Sequence, residues 1–226
     1  MAFKRSFAAA EPLSGEALTS AMVGLGMLFA AEGLPDPDIE ATLVGASIEG
    51  MEKGDLRTLA MLMTWLDLHS ERINADSLTR LVGSRPEVRV RAFWSAVGHY
   101  FIKDRRFGRL ISGYKGSPVD LLATGTDFHL RRSGEDPRFA GSVLRVPAGV
   151  LRDRKADVLT AAELAQRHGT YRMRVQMGPS YRADMWAELD REPGLSAAEL
   201  ARRTFGSFAT AWLIKRDWKL LESAKL

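Results

Sequence analysis

Four histidines carry the side chains best suited to acid–base chemistry or metal binding, and they lie far apart in the chain: His69, His99, His129 and His168. None of them forms the His-x3-His or His-Glu-x-x-His spacing that brings two imidazoles to one face of a helix. Asp67 and His69 fall within a predicted helix, where a structural hydrogen bond explains the histidine better than a metal does. The sequence therefore predicts no metal site.

Other catalytic patterns are equally weak. Asp127 and His129 lie on an expected loop with no nucleophile beside them, and Gly113 to Ser117 lacks the Gly-x4-Gly-Lys-Ser/Thr spacing of a phosphate-binding loop. The chain has no cysteine, which excludes disulfides, thiolate metal sites and cysteine nucleophiles. We expect a protein that is not an enzyme, has no catalytic residues and needs no cofactor. An enzyme of unrecognised type, with its site near Arg105, Asp127 and His129, is one alternative.

Charge is divided unevenly along the chain. Residues 1–80 contain 6 Lys or Arg and 12 Asp or Glu, a net charge of −6, whereas residues 81–226 contain 26 and 16, a net charge of +10. A basic half suits a polyanion, and an acidic half suits packing or a protein partner. The alternative is that the arginines only cover a solvated surface.

A nine-residue segment occurs twice in the C-terminal part. Residues 159–167 read LTAAELAQR and residues 195–203 read LSAAELARR, so that seven of the nine positions are identical. Each copy begins with the Ser/Thr-x-x-Glu pattern of a capping box, in which the two side chains satisfy amides of the first helical turn. The pairs are Thr160 with Glu163 and Ser196 with Glu199. The sequence therefore predicts two copies of one short amphipathic helix.

The second copy lies within a longer three-helix pattern. Tyr181 to Asp190 is predicted as a first helix, Ser196 to Thr204 as a second and Phe208 to Ser223 as a third. Gly206 is expected to take the left-handed backbone conformation in the turn before the third helix, and Ser207 to cap that helix. The side chains expected to face inward are Met185, Trp186, Leu189, Ala211, Ile214, Trp218 and Leu221. This order of helices is that of a helix-turn-helix.

Residues 181–223, above all LSAAELARRTFGSFATAWLIKRDWKLL, resemble the helix-turn-helix of winged-helix regulators. The resemblance implies that the third helix enters the major groove of DNA. It departs from that family at the C-terminus, because too few residues follow Leu221 to form a β-wing. Strands would have to come from elsewhere, such as residues 139–150, or the unit is a wingless three-helix module.

Ten residues of the C-terminal part are candidate nucleic-acid contacts. Cations near the second and third helices can neutralise phosphates, and Ser207 and Thr210 can approach base edges or phosphates. After the first copy, Arg172, Arg174 and Gln176 share one face if that stretch is a strand. If it is a helix, only Arg172 and Gln176 do. The full set is Arg172, Arg174, Gln176, Arg202, Arg203, Ser207, Thr210, Lys215, Arg216 and Lys219.

Two further points bear on that set. Trp212 lies off the predicted buried face of the third helix and is an additional candidate contact, whereas Trp94, Trp186 and Trp218 are expected to be core or interface anchors. The alternative interpretation is a protein-interaction module, in which Lys and Arg late in a helix only complement its dipole.

The N-terminal 102 residues read as four or five successive helices, because their apolar residues are spaced by three and four. Asp36 is expected to cap the second of them. The approximate spans are Gly15 to Phe29, a helix over Ile39 to Ala46, Asp55 to Arg72, a short helix over Leu78 to Val82, and Pro86 to Ile102. The third span is apolar on nearly every side, which is typical of a central helix.

Glycines and prolines break residues 103–158 into short pieces, which predicts a basic linker or a small β element with a short strand or two in Phe139 to Val150. The expected fold class is therefore mainly α, with a few short strands in the middle. Residues 1–102 form an acidic helical bundle, residues 103–158 the irregular segment, and residues 159–226 a basic region with the duplicated helix and the helix-turn-helix.

The leading interpretation is a cytoplasmic nucleic-acid-binding protein, with DNA favoured and RNA as an open alternative, that acts as a transcriptional regulator. Residues 1–102 would form a homo-oligomer or bind a protein partner. A bacterial antitoxin-like or adaptor protein is the second interpretation. No membrane span is expected, since the most apolar stretch, Ala17 to Ala31, is shorter than the ~17–20 residues required. Glu11, Pro12 and Glu16 interrupt any signal-peptide pattern.

Overall fold

The computed structural model describes residues 11–224, and the chain is mainly helical. The start of the segment weighed as a signal peptide, residues 1–10, lies outside the described residues. In chain order the helices are α1 (Gly15–Gly24), α2 (Ile39–Lys53), α3 (Leu56–His69), α4 (Ala75–Gly83), α5 (Val88–Tyr100), α6 (Gly108–Ile111), α7 (Thr126–Ser133), α8 (Ala161–Arg167), α9 (Gly169–Met177), α10 (Tyr181–Arg191), α11 (Ala197–Arg203) and α12 (Phe208–Ser223). No helix in this part of the chain is long and apolar enough to cross a membrane.

A large core, formed by α1–α5 with the middle segment and α8–α9, occupies most of the molecule. Helix α3 lies at its centre, as its all-round apolar sequence predicts, and buries nearly every residue from Thr58 to Leu66. Two buried indole N–H groups, one on α3 and one on α5, donate hydrogen bonds to other parts of the bundle. Trp65 Nε1 donates to Leu25 O at 2.9 Å, and Trp94 Nε1 donates to Ser47 Oγ at 2.9 Å. The core is therefore one continuous apolar cluster that contains a few internal hydrogen bonds.

The middle segment contributes two short parallel strands, β1 (Val119–Asp120) and β2 (Leu144–Arg145). Val119 pairs with Leu144 and Asp120 with Arg145. The strand expected within residues 139–150 is thus confirmed over two residues. Apolar side chains of this segment join the large core, so the segment is packed against the bundle. They include Leu121, Phe139, Leu144, Val146, Leu151 and Val158.

One helix boundary differs from the sequence prediction because of long-range pairing. Helix α1 ends at Gly24, not Phe29, since the next residues pair with the chain before α8. Gly26, at φ +79°, accepts a hydrogen bond from the Leu159 amide at 2.8 Å, and Met27 forms an antiparallel bridge with Val158. These contacts replace the last predicted turn.

The second helix is capped by Asp38 and not by Asp36. Asp38 Oδ1 accepts from the Ala41 amide at 2.7 Å. Asp36 has a left-handed backbone at φ +47°, and its carboxylate bonds to the start of α9 instead. Both aspartates suit a helix N-terminus, so only the tertiary partner distinguishes them.

Candidate nucleic-acid interface

Helices α10, α11 and α12 form a three-helix unit with a core of its own. Its buried residues are Met185, Leu189, Leu195, Leu200, Ala201, Ala211 and Ile214, with Trp186 and Trp218 packed partly against them. The three predicted helix spans agree with the observed ones to within about two residues. The helices and their inward-facing residues therefore follow from the sequence, apart from Leu221.

The turn between α11 and α12 differs from the prediction at one position. Phe205, not Gly206, takes the left-handed conformation, with φ +56°. The strain at a non-glycine residue is offset by packing, because the Arg80 guanidinium of α4 lies 3.6 Å from the centroid of the Phe205 ring. Gly206 lies close to the small core, and a Cβ atom there would displace the end of the Met185 side chain.

Helix α12 begins as expected, with Ser207 as its cap. Ser207 Oγ accepts from the Thr210 amide at 3.0 Å and lies 2.8 Å from Thr210 Oγ1. Both hydroxyls are thus already engaged at the helix start. The two residues predicted to approach base edges serve the cap in this structure.

The solvent side of α12 carries large side chains that nothing in residues 11–224 covers. Phe208 is 51% exposed, Trp212 53% and Leu221 56%. Leu221, predicted to face inward, lies outside because α10 ends at Arg191 and the small core ends with Trp218, whose Nε1 donates to Asp190 Oδ1 at 3.3 Å. Within residues 11–224, the last turn of α12 has no helix beneath it.

One side of α12 combines aromatic rings with cations, and we call it the aromatic–cationic row: Phe208, Trp212, Lys215, Arg216 and Lys219. The last four residues line a shallow groove of about 250 Å³. Arg216 lies 5.9 Å from the Trp212 ring centroid and pairs with Asp217 at 2.8 Å. The Lys215 ammonium donates to Leu195 O. Lys219 is exposed and has no partner within the described chain.

The predicted cations of α11 are held in exposed ion pairs. Arg202 Nε bonds to Glu199 at 2.8 Å, and Arg203 bonds to Glu199 at 2.9 Å and to Glu192 at 2.7 Å. Hydrogen bonds from both guanidinium groups lower the pKa of Glu199 to about 2. Because the Glu199 carboxylate faces these arginines, it forms no return bond to the Ser196 amide, and the second predicted capping box is only half present.

The other predicted set, on α9, is split by the fold. The segment is a helix, so the strand alternative is wrong. Arg172 and Gln176 are exposed on α9, which packs against α10, whereas Arg174 is 2% exposed and lies inside the protein. The structure therefore brings Lys215, Arg216 and Lys219 together on α12, places Arg202 and Arg203 in ion pairs on the neighbouring α11, and removes Arg174 from the surface.

Arg174 forms a buried ionic centre between the two cores. Its guanidinium bonds to both oxygens of Glu40, at 2.6 and 2.9 Å, and to Asp184 Oδ1 at 2.7 Å. Asn74 completes the centre, because its backbone amide donates to Glu40 Oε1 and its side-chain Nδ2 donates to Asp184 Oδ2. Burial lowers the pKa of Arg174, but the two carboxylates outweigh burial and hold that pKa above its ordinary value. The centre fastens α9 and α10 to α2 and α4.

A second polar contact lies beside that centre, across a cavity of about 160 Å³. Asp36 accepts from the Gly169 amide at 2.5 Å, and its Oδ1 is 3.0 Å from Nδ1 of the buried His168. Burial alone would raise the pKa of Asp36, but His168, Gly169 and Arg191 together lower it to about 2. Neither contact was predicted from the sequence. The only signal in the sequence was that Arg174 lies three residues after Tyr171, a side chain of the large core.

Asp127 and His129, two residues of the enzyme alternative, each have another partner in the described chain. Asp127 pairs with Arg145, and the His129 ring packs edge-on against Phe128.

His69 is buried, with Nε2 donating to Leu159 O at 3.0 Å and Nδ1 accepting from the Tyr171 hydroxyl at 2.8 Å. Burial lowers its pKa to about 4. Within residues 11–224, no three His, Asp or Glu side chains converge where a metal could bind.

Comparisons with protein-family models, with curated proteins and with solved structures found no match to this chain.

Proposed function

We propose that the protein binds nucleic acid through the aromatic–cationic row of α12. The observation that carries the proposal is the three-helix unit itself: it has its own core, and its longest helix leaves one face uncovered. A helix that projects from a helix-turn-helix in this way is the element that such modules place against nucleic acid. A regulator of this kind would use residues 1–102 for dimerisation or for a partner, as the sequence analysis expects.

The charges of the unit are compatible with this role although most of them are paired. Exposed ion pairs contribute only about 0–1 kcal/mol, so a phosphate can replace a carboxylate at little expense. This applies to Arg202 and Arg203 on α11 and to Arg216 on α12. Arg174 is excluded from the proposed interface, because its carboxylate partners are buried with it.

The test is the binding of the full chain to random-sequence duplex DNA over a series of salt concentrations, measured by fluorescence anisotropy. We expect the double variant Arg216→Ala/Lys219→Ala to bind more weakly and to reduce the slope of log affinity against log salt by about 2, which is about 1 per lost phosphate contact. Arg131→Ala/Arg132→Ala is the matched control, because it removes two exposed cations from α7. The proposal is wrong if neither the duplex nor its separated strand binds at about 50 mM salt, or if the control changes the slope equally.

A protein partner is the second candidate function, and a specific observation favours it. Leu213, Leu220 and Leu221 are exposed on α12 and do not line the cationic groove. Exposed apolar clusters often mark protein contacts. Purification of the chain from its native cells as a stable hetero-complex, lost in Leu213→Ser/Leu220→Ser, would support this role. A single species of monomer mass in the same cells would contradict it.

A further inference from the structure

Phe208 and Trp212 are arranged for a task that the duplex-binding role leaves unexplained. They lie four residues apart on α12, about 6 Å along the helix axis and on the same side. Both rings are about half exposed, and Phe208 makes no described ring contact. Two half-exposed aromatic rings on adjacent turns of one helix face form an apolar patch, and such patches often mark contact sites.

We infer that the aromatic–cationic row binds nucleic acid with unpaired bases, which stack on Phe208 and Trp212 while Arg216 and Lys219 contact the phosphates. This inference rests on the proposed function and narrows its ligand. Aromatic side chains next to a row of cations are the common device for holding single strands, because every base has a face that stacks and every nucleotide has a phosphate. The spacing of about 6 Å is close to twice the 3.4 Å rise between stacked bases, which leaves room for one base between the two rings.

The same surface is poorly suited to the edges of paired bases. Major-groove edges are recognised mainly by hydrogen bonds from polar side chains. Ser207 and Thr210, the hydroxyls at the start of α12, are bonded to each other and to the helix backbone. The exposed residues on the next turn are Trp212 and Leu213, which cannot reproduce such a pattern of donors and acceptors. The exposed cations further along the row are Arg216 and Lys219. Bases that are already unstacked fit this surface better than a closed duplex does.

The experiment compares a fluorescent single strand of mixed sequence, about 20 nucleotides long, with the duplex of the same sequence, both titrated with the full chain. We expect the single strand to bind at least about 10-fold more tightly. Trp212→Leu keeps an apolar side chain but removes the stacking face, and should weaken single-strand binding by about 10-fold to 100-fold. Trp212→Phe keeps the face and should retain most of the affinity. Phe208→Leu should behave like Trp212→Leu.

Two controls separate stacking from loss of fold or of general apolar surface. Phe128→Leu changes an aromatic side chain of similar exposure on α7, and Leu220→Ala removes an exposed apolar side chain from α12 outside the row. Neither should change single-strand affinity, and circular dichroism should show every variant folded. The expected pattern is loss in Trp212→Leu and Phe208→Leu, with retention in Trp212→Phe and in both controls.

The outcomes distinguish this inference from the function on which it rests. Tighter binding to the duplex, or equal losses in Trp212→Leu and Trp212→Phe, would overturn the stacking inference and leave the nucleic-acid proposal standing. Failure of both single strand and duplex to bind would overturn both. A protein partner whose capture depends on Trp212 while neither oligonucleotide binds would assign the row to protein recognition and refute the inference.

Discussion

Residues 159–167 and residues 195–203 share seven of nine amino acids and lie in different parts of the molecule. Both form a seven-residue helix that starts after a Ser or Thr cap and buries its central leucine. Leu164 of the first copy packs into the large core, whereas Leu200 of the second packs into the small core of α10–α12. The local structure is therefore the same, and the surroundings are not.

The connections after the two copies account for the difference. After the first copy, His168 alone separates α8 from α9, and it is held by Asp36 and Pro37 of the bundle. After the second, a four-residue turn precedes α12, a helix of 16 residues with a largely uncovered face. The same helix is therefore packed between other elements in the first copy and lies beside a solvent-exposed helix in the second. Buried polar contacts hold the first copy, and exposed ion pairs surround the second.

The two regions should differ most in the free energy of unfolding that is lost when one arginine is removed from each. Arg174→Met leaves Glu40 and Asp184 buried without a counter-charge, and we expect it to lower the free energy of unfolding by about 3–5 kcal/mol. Arg203→Met removes a guanidinium that has three carboxylate partners at the surface, and urea denaturation should show little change. Equal losses in the two variants would refute the contrast. Glu40→Leu added to Arg174→Met should recover part of the stability.

A second comparison uses two carboxylates with the same lowered pKa. Asp36, beside the first copy, and Glu199, in the second, both have a pKa of about 2, but Asp36 pairs with the buried His168 and Glu199 with the exposed Arg202 and Arg203. Asp36→Asn should lower the free energy of unfolding by roughly 2 kcal/mol at pH 7. Asparagine tolerates the left-handed backbone there, so the backbone should be unaffected.

The pH dependence follows from the direction of that shift. The folded pKa of Asp36 lies below its ordinary value of 3.8, so its stabilisation is complete above that pH and is lost as the pH falls through about 2. Denaturation of wild type and Asp36→Asn between pH 7 and pH 2 should therefore show converging stabilities. Glu199→Gln, the control whose arginine partners are exposed, should follow the wild type throughout. A constant difference between wild type and Asp36→Asn would show that the charge of Asp36 is not involved.

The smallest expected effect tests the two capping boxes. The first box is complete, since Glu163 Oε2 accepts from the Thr160 amide at 2.8 Å, whereas Glu199 is drawn away by Arg202, which replaces Gln166 of the first copy. Arg202→Gln should let Glu199 turn back to the Ser196 amide and complete the second box. We expect a stability change within about 0.5 kcal/mol and slower hydrogen exchange at the Ser196 amide, measured by NMR. Unchanged exchange would mean that Arg203 alone holds Glu199.

The sequence determined the regular part of this protein. The spacing of apolar residues and the capping residues predicted the three helices of the C-terminal unit, the central helix α3 and the cap of α12 by Ser207. These features depend on residues within a turn or two of one another. The repeated nonapeptide also predicted two equivalent helices correctly. None of these features required knowledge of which parts of the chain meet.

Tertiary structure decided the rest, because it fixed which polar groups lost water and which partners they met. Arg172 and Arg174 have the same side chain two positions apart, yet one is solvated and the other joins two cores through Glu40 and Asp184. Asp36 and Asp38 are equally good caps by type, and only contact with Gly169 separates their roles. Phe205 takes the left-handed turn position, and its ring lies against the Arg80 guanidinium of α4. Burial and pairing between residues about a hundred positions apart cannot be read from local spacing, since the free energy of a charged group depends on its neighbours in space.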